Sequence, residues 1–311
     1  MIISASRRTD IPAFYAEWFF NRIKEGYVLV RNPMNYHQVS KISLSPAVVD
    51  GIVFWTKNPL PMMTRLDELR EYPYYFQFTL TPYGKEMEPG LPSKKAVLIP
   101  VFRELSRKLG PDRLVWRYDP ILLNPRYPVE KHVQYFEKMA KVLQGYTKKC
   151  VISFVDMYKN TLRNQITLGI EPLPFEAVQT IAREFSRTAE KYDLKLCTCG
   201  EEVDLSAWRI SHGACIDRNL LEQLIQNPLE SRKDQNQREA CGCMESIDIG
   251  AYNTCRNFCG YCYANYNAGM VTDNRRRHHP DSPFLVGELE AGDRLTERKM
   301  KSLREAQLRL F

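Results

Sequence analysis

Residues 51–56 read GIVFWT. The stretch is apolar without the every-other-residue break that a strand with one wet face shows, so it reads as a strand covered on both sides. Five further short runs share its apolar, β-rich character: MIISAS (1–6), YYFQFTL (74–80), RLVWRYD (113–119), CVISFVD (150–156) and LKLCTC (194–199). Between them the 3–4 spacing of apolar residues predicts helices near 11–25, 60–71, 94–109, 128–145 and 173–191. PVEKHVQYFEKMAKVL and PFEAVQTIAREFSRTAEKY each place Pro and an acid at the start, as helix N-termini favour. Strand–helix alternation implies parallel strands joined by helical crossovers.

Six such units make either an open doubly wound sheet or a barrel of six strands. The first strand runs into SASRRTD with no Gly-rich phosphate loop, which argues against a dinucleotide-binding fold. The expected fold is α/β, a partial TIM-like (β/α)6 barrel over residues 1–200. A cysteine-rich C-terminal iron–sulfur segment, 201–311, packs on it. Within that segment 227–250 and 271–295 read as loops, and RLTERKMKSLREAQLRLF (294–311) as a closing helix.

Composition narrows the setting. Of 311 residues 44% are hydrophobic and 26% charged, as in ordinary globular chains. No apolar run reaches about 18 residues, so no membrane-spanning helix is expected. MIISASRRTD places its apolar residues before its basic ones, the reverse of a signal peptide, which points to the cytoplasm. A net charge of +7 fits a solvated basic surface or a nucleic-acid or phosphate partner. Eight of the nine cysteines fall between Cys197 and Cys262, and in a reducing compartment such clustering means metal or redox chemistry.

Three of them, Cys255, Cys259 and Cys262, lie in NTCRNFCGYCYAN (253–265) as C-x-x-x-C-x-x-C. A closed structural zinc site needs four ligands, and iron–sulfur clusters usually take four thiolates. A 4Fe–4S cubane on three thiolates keeps one iron open to a ligand. Cys199, Cys215, Cys241 and Cys243 are candidate ligands of a second centre, a 4Fe–4S cluster or a four-thiolate zinc site. Each C-x-C pair directs both side chains to one face when extended. Cys197 is held in reserve, and Cys150 reads as core.

Polar residues gather where the strands end, and in a parallel barrel that is where chemistry is built. Arg117 and Asp119 in WRYDP, Asp156 after SFV and Lys57 after GIVFWT are the catalytic candidates. Arg117 and Asp119 also suit a plain structural ion pair. Arg7 and Arg8, with Asp10, suit an anion or a cap on the first helix.

The three-cysteine loop, with Tyr261 just before its last cysteine, resembles the cluster loop of radical S-adenosylmethionine enzymes. The resemblance implies that the cofactor chelates the open iron and is cleaved by an electron to a 5′-deoxyadenosyl radical. It also implies a six-unit partial barrel, and cofactor-binding roles for Tyr261, Asp119, Asp156, Arg7 and Arg8. In that superfamily the loop follows the first strand; here it follows the sixth. MIISASRRTDIPAFYAEWF, GIVFWTKNP, FQFTLTPYG, WRYDPILL, SFVDMY, GACID and CGCMESIDIGAYNTCRNFCGYCYAN resemble the family catalogued as domain of unknown function 1848. YNTCRNFCGYCYAN and WRYDPI also resemble stretches of the spore photoproduct lyase group. The expected function is a radical enzyme acting on a small or anionic molecule, with a flavodoxin- or ferredoxin-type reductant. The alternative is a non-enzymatic iron–sulfur or zinc protein that binds nucleic acid, with affinity falling steeply in salt.

Overall fold

The computed structural model describes residues 1–157, 159–230 and 232–305. In chain order its strands are β1 (Ile2–Ala5), β2 (Tyr27–Asn32), β3 (Asn35–Ser43), β4 (Gly51–Thr56), β5 (Tyr74–Thr79), β6 (Leu114–Ile121), β7 (Lys149–Phe154), β8 (Lys195–Cys199), β9 (Ser211–Gly213), β10 (Ile247–Asp248) and β11 (Arg294–Glu297). The α-helices are α1 (Ile11–Phe14), α2 (Ala16–Glu25), α3 (Ile99–Leu109), α4 (Val129–Leu143), α5 (Lys159–Leu168), α6 (Phe175–Lys191), α7 (Arg218–Ile225) and α8 (Ala268–Arg276). The predicted helix at 60–71 is a 3₁₀ stretch, Met63–Leu69, and a π turn at Lys94–Leu98 leads into α3.

Eight strands form one all-parallel sheet in the order β10-β1-β4-β5-β6-β7-β8-β9. The six predicted strands occupy its centre in chain order. The sheet is not closed: among the described residues β10 and β9 remain its two edges. Strands laid down in sequence, each returning through a right-handed crossover, put their helices on one face. Side-chain alternation shows that face directly. Ile52 and Phe54 of β4 pack with Phe76, Trp116, Ile152 and the helical residues Phe19, Phe102, Phe136 and Phe185. Val53, between them, packs the other way, with Ile2, Tyr75, Val115, Val151 and Cys197. GIVFWT is unbroken because both faces are core.

What covers the second face comes from beyond residue 200. Ile216, Leu221 of α7, Leu229 and Met244 pack there with Cys215, Cys241 and Cys243. Polar anchors fix this segment: Tyr75 Oη donates to the Cys215 carbonyl and accepts from the Asp217 amide (3.0 Å), and Gln77 Nε2 donates to the same carbonyl at 2.9 Å.

Two expectations about the C-terminal segment are corrected. Residues 294–305 form no helix; Arg294–Glu297 is a strand, paired in parallel with β3 in a small sheet of order β11-β3-β2. All four of its side chains are exposed, so no apolar stripe stabilises a helix there. The remainder of the expected helix, 306–311, lies outside the described residues. The start of the expected loop 271–295 is α8, capped at its N-terminus by the Asn267 side chain on Met270 N (2.7 Å). None of the described helices is long and apolar enough to cross a membrane.

One buried histidine on the helix side sets a pH dependence. His132 of α4 is fully buried between Tyr118 Oη and the Leu122 carbonyl, each 2.8 Å away. Burial pushes its pKa from 6.5 down to about 4. The folded state resists the proton, so the full contribution is present above pH 6.5 and is lost as pH falls through about 4. The shift corresponds to about 3 kcal/mol. Denaturant titrations between pH 7 and pH 4 should show the loss, and His132→Gln should flatten it. A variant that keeps the parent's slope would rule out His132 as its source.

Candidate metal centre and cavity

The second face of the sheet changes character along each strand. Two residues beyond its apolar layer stand Ser4, Trp55, Gln77, Arg117, Ser153 and Cys199, and two further on Ser6, Lys57, Thr79 and Asp119. At the C-terminal ends of the strands this polar layer opens into a cavity of about 460 Å³. Its walls include Arg7, Arg8, Lys57, Arg117, Asp119, Asp156 and Tyr261, together with Cys199, Cys215, Cys241, Cys243, Cys255, Cys259 and Cys262. Every residue singled out from the sequence for metal, cofactor or catalysis thus lines one chamber. Cys197 and Cys150 do not; both are buried in the apolar layers.

The three-cysteine loop reaches the cavity from the far end of the chain because neighbouring segments hold it. The Gly90 amide donates to the Asn257 carbonyl (3.0 Å), and the Gly260 amide donates to the Met87 carbonyl (2.9 Å). Tyr15 Oη donates to the Thr254 carbonyl (2.7 Å), and Asn257 Nδ2 to Asp10 Oδ2 (3.2 Å). Asn253 and Phe258 adopt left-handed backbone, φ 56° and 51°. A side chain at Gly90 would run into the backbone of Arg256 and Asn257, so glycine is required where the two loops meet.

A charged knot lies beneath. Glu88, 1% exposed, accepts from Lys57 Nζ (2.8 Å), Lys94 Nζ, Thr81 Oγ1 (3.0 Å) and Tyr261 Oη. Burial pushes its carboxyl up, but Lys57 and Lys94 outweigh burial and hold its pKa at about 2. Tyr261 therefore binds into the wall through Glu88, and Lys57 Nζ also donates to its hydroxyl at 3.0 Å. Burial pushes the Cys255 thiol up to about 12 and raises Cys259 and Cys262 as well, so all three stay protonated unless a cation joins them.

The other four sulfurs are crowded. Cys199 Sγ and Cys215 Sγ are 2.7 Å apart, and Cys243 shares side-chain hydrogen bonds with both Cys215 and Cys241. The amides of Cys215 and Ile216 point at Cys243 Sγ at 3.2 and 3.4 Å. Hydrogen bonds from Cys199 and Cys243 hold Cys215 on the thiolate side, and one from Cys243 lowers Cys241 to about 6. Arg117 Nη1 donates to Cys215 Sγ at 2.6 Å. Among the described residues no group of three or more His, Cys, Asp and Glu side chains is placed so that it could hold a metal ion as it stands. The donor chemistry, thiols in both places, is of the kind that suits a thiophilic metal.

Other candidates are partly spoken for. The Arg117 guanidinium bonds Asp119 through Nε (3.0 Å) and Nη2, and Ser153 Oγ donates to the same carboxylate. Arg117 is thus paired within the wall. Asp156 bonds Arg238 Nη1 at 2.8 Å. Arg8 sits 5.2 Å from the Tyr252 ring centroid and donates to the Gly250 carbonyl at 3.4 Å. Sequence reasoning missed Glu88, Lys94 and Thr9. Nothing in the spacing of GKEMEPG (84–90) marks one of its acids as buried. It also missed Asp248, which accepts from Ser4 Oγ, Ser6 Oγ and Arg7 N at 2.6–2.8 Å and so fixes the first strand's exit.

No curated protein matches the chain. A family model covers residues 2–264, the whole of the sheet and the three-cysteine loop, and on that match the chain belongs to the family described as domain of unknown function (DUF1848).

Proposed function

We propose that the chain is a radical S-adenosylmethionine-type iron–sulfur enzyme, and that its open parallel sheet is a partial (β/α)6 barrel. One observation carries the reading: the CxxxCxxC thiols and the polar ends of the sequential strands line a single cavity. Cys255, Cys259 and Cys262 would hold a 4Fe–4S cluster with an open iron. When bound, that cluster supplies the electron that cleaves S-adenosylmethionine to a 5′-deoxyadenosyl radical.

The chain's own residues do the rest. Glu88 and Lys57 fix Tyr261 and with it the loop. Asp119 and Asp156 offer carboxylates toward polar groups of the cofactor. The enclosing walls exclude water, which a reactive carbon radical requires. The substrate is a small polar or anionic molecule, and the reductant a flavodoxin- or ferredoxin-type protein. Cys199, Cys215, Cys241 and Cys243 form the second centre. Their crowding favours one ion with four thiolates over a second cubane, whose core would hold the sulfurs apart.

The test is anaerobic reconstitution, reduction with dithionite in the presence of S-adenosylmethionine, and chromatography for 5′-deoxyadenosine. Cofactor cleavage is expected in the parent. Asp119→Asn should lower its rate at least tenfold with iron content unchanged. A chain carrying four irons on the loop yet forming no 5′-deoxyadenosine would refute the radical reading.

A further inference from the structure

Two helices are fastened to the three-cysteine loop. From α5, Asn164 Nδ2 donates to the Gly260 carbonyl (2.7 Å) and Arg163 Nη1 to the Tyr266 carbonyl (2.8 Å). Leu168 fills the space over Gly260, where an added Cβ would come within 2.9 Å of it. From α8, Asn274 Nδ2 donates to the Asn253 carbonyl (3.0 Å).

These segments turn apolar side chains to solvent. Among the described residues Leu162 and Ile166 of α5, Phe258 of the loop, Tyr266 and Met270 are all exposed, Ile166 by 92%. Leu162 and Ile166 stand four apart on a helix and so share a face. A surface helix ordinarily turns its apolar stripe to the core. Here Asn164 and Leu168 hold the loop while the apolar pair looks outward, and exposed apolar side chains grouped within a polar rim mark a contact surface.

Charge says what covers it. The described side chains of α5, of the loop and of α8 through Arg277 include five arginines, Arg163, Arg256, Arg275, Arg276 and Arg277, against one acid, Asp273. Arg276 lies 3.7 Å from Asp273, and Arg277 pairs with Glu290 at 3.2 Å. Among the described residues the other three arginines have no carboxylate within ion-pair distance. A face of this sign repels its own copy, which disfavours a symmetric dimer through it. Leu162, Ile166 and Met270 offer no stacking platform, so a protein fits better than nucleic acid. The position is equally telling. Phe258 adjoins Cys259 in the chain, and that cysteine lines the cavity with Cys255 and Cys262.

We propose that this face is the docking surface for an acidic one-electron carrier protein of flavodoxin type. The carrier is oxidised by one electron as the metal centre of the loop is reduced by one. The inference rests on the radical reading and deepens it, by giving the reductant a place on the chain. Electron-carrier interfaces are small and charge steers their encounter, which suits a compact apolar patch among arginines.

The experiment is calorimetric titration of the anaerobically reconstituted chain with a purified acidic flavodoxin. Binding is expected, and it should weaken as ionic strength rises. Ile166→Glu and Arg275→Glu should each weaken it about tenfold or more. Lys195→Glu, a charge reversal at the opposite end of the sheet, should leave it within twofold. Both patch variants change solvent-facing side chains, so their melting temperatures should match the parent's, which separates lost docking from lost folding. With dithionite as reductant, Ile166→Glu should cleave S-adenosylmethionine at the parent's rate, while flavodoxin-driven cleavage falls with the binding. Flavodoxin binding that is absent, or that both patch variants leave unchanged, would overturn the docking surface. So would tighter binding of a single-stranded oligonucleotide that the same variants abolish. Absence of dithionite-driven cleavage in the parent would instead refute the radical reading, so the two failures are told apart.

Discussion

Replacing Cys255, Cys259 and Cys262 together by alanine should remove about four irons per chain and leave the metal on the other four cysteines in place. The two sets share a cavity but not a backbone segment. The loop is fastened by Asn257 and Gly260 to residues 87–90, while the crowded set is fastened to Tyr75 and Gln77 through the Cys215 carbonyl. Iron, zinc and sulfide counting on the triple variant separates the two. Unchanged iron would mean that the loop holds no cluster. Loss of all metal from a folded variant would mean that the two centres are one.

The second large effect is on stability. Glu88→Ala strips the shared partner from Lys57 and Lys94 and leaves two ammonium groups in the wall, at a cost of about 3–5 kcal/mol. Glu88→Gln keeps the shape and isolates the charge. The pH dependence follows from the sign. The folded carboxyl, held at about 2, sits below its ordinary 4.5, so the contribution is full above pH 4.5 and is lost as pH falls through about 2. Chemical denaturation from pH 6 downward should show parent and Glu88→Gln converging in acid. A constant gap between them would disconnect the carboxylate's charge from stability.

The central strands were legible because burial on both faces leaves no polar interruption: YYFQFTL and CVISFVD announce themselves by composition. Two of the strands that sequence reading overlooked, β3 and β11, carry little such signal. β3 opens with four exposed residues, NYHQ, and buries only Val39 and Ile42 after them, and β11 is exposed throughout, so neither shows a sustained core-facing pattern. For the cavity, spacing pointed to the cysteines and strand ends pointed to Arg117, Asp119 and Lys57. Glu88 and Thr9 escaped because burial of a polar residue in a loop is decided by tertiary packing, which local spacing does not encode. Arg117 was open to two readings, and the structure pairs it with Asp119.

The cover on the sheet's second face has a consequence for biosynthesis. A ribosome releases β1 through β8 before the segment that carries Ile216, Leu229 and Met244, and before β10, which borders β1. At about 5–20 residues per second, the nascent chain waits several seconds between the last central strand and the residues that shield Ile2, Val53, Tyr75, Val115 and Val151. During that interval the apolar layer of the sheet's second face is bare, and only Cys199 of the seven cavity cysteines is in place. On the proposed function, metal loading would therefore be an event of the nearly complete polypeptide, and an interruption of synthesis before residue 244 leaves an apolar half-fold for chaperones and proteases to clear.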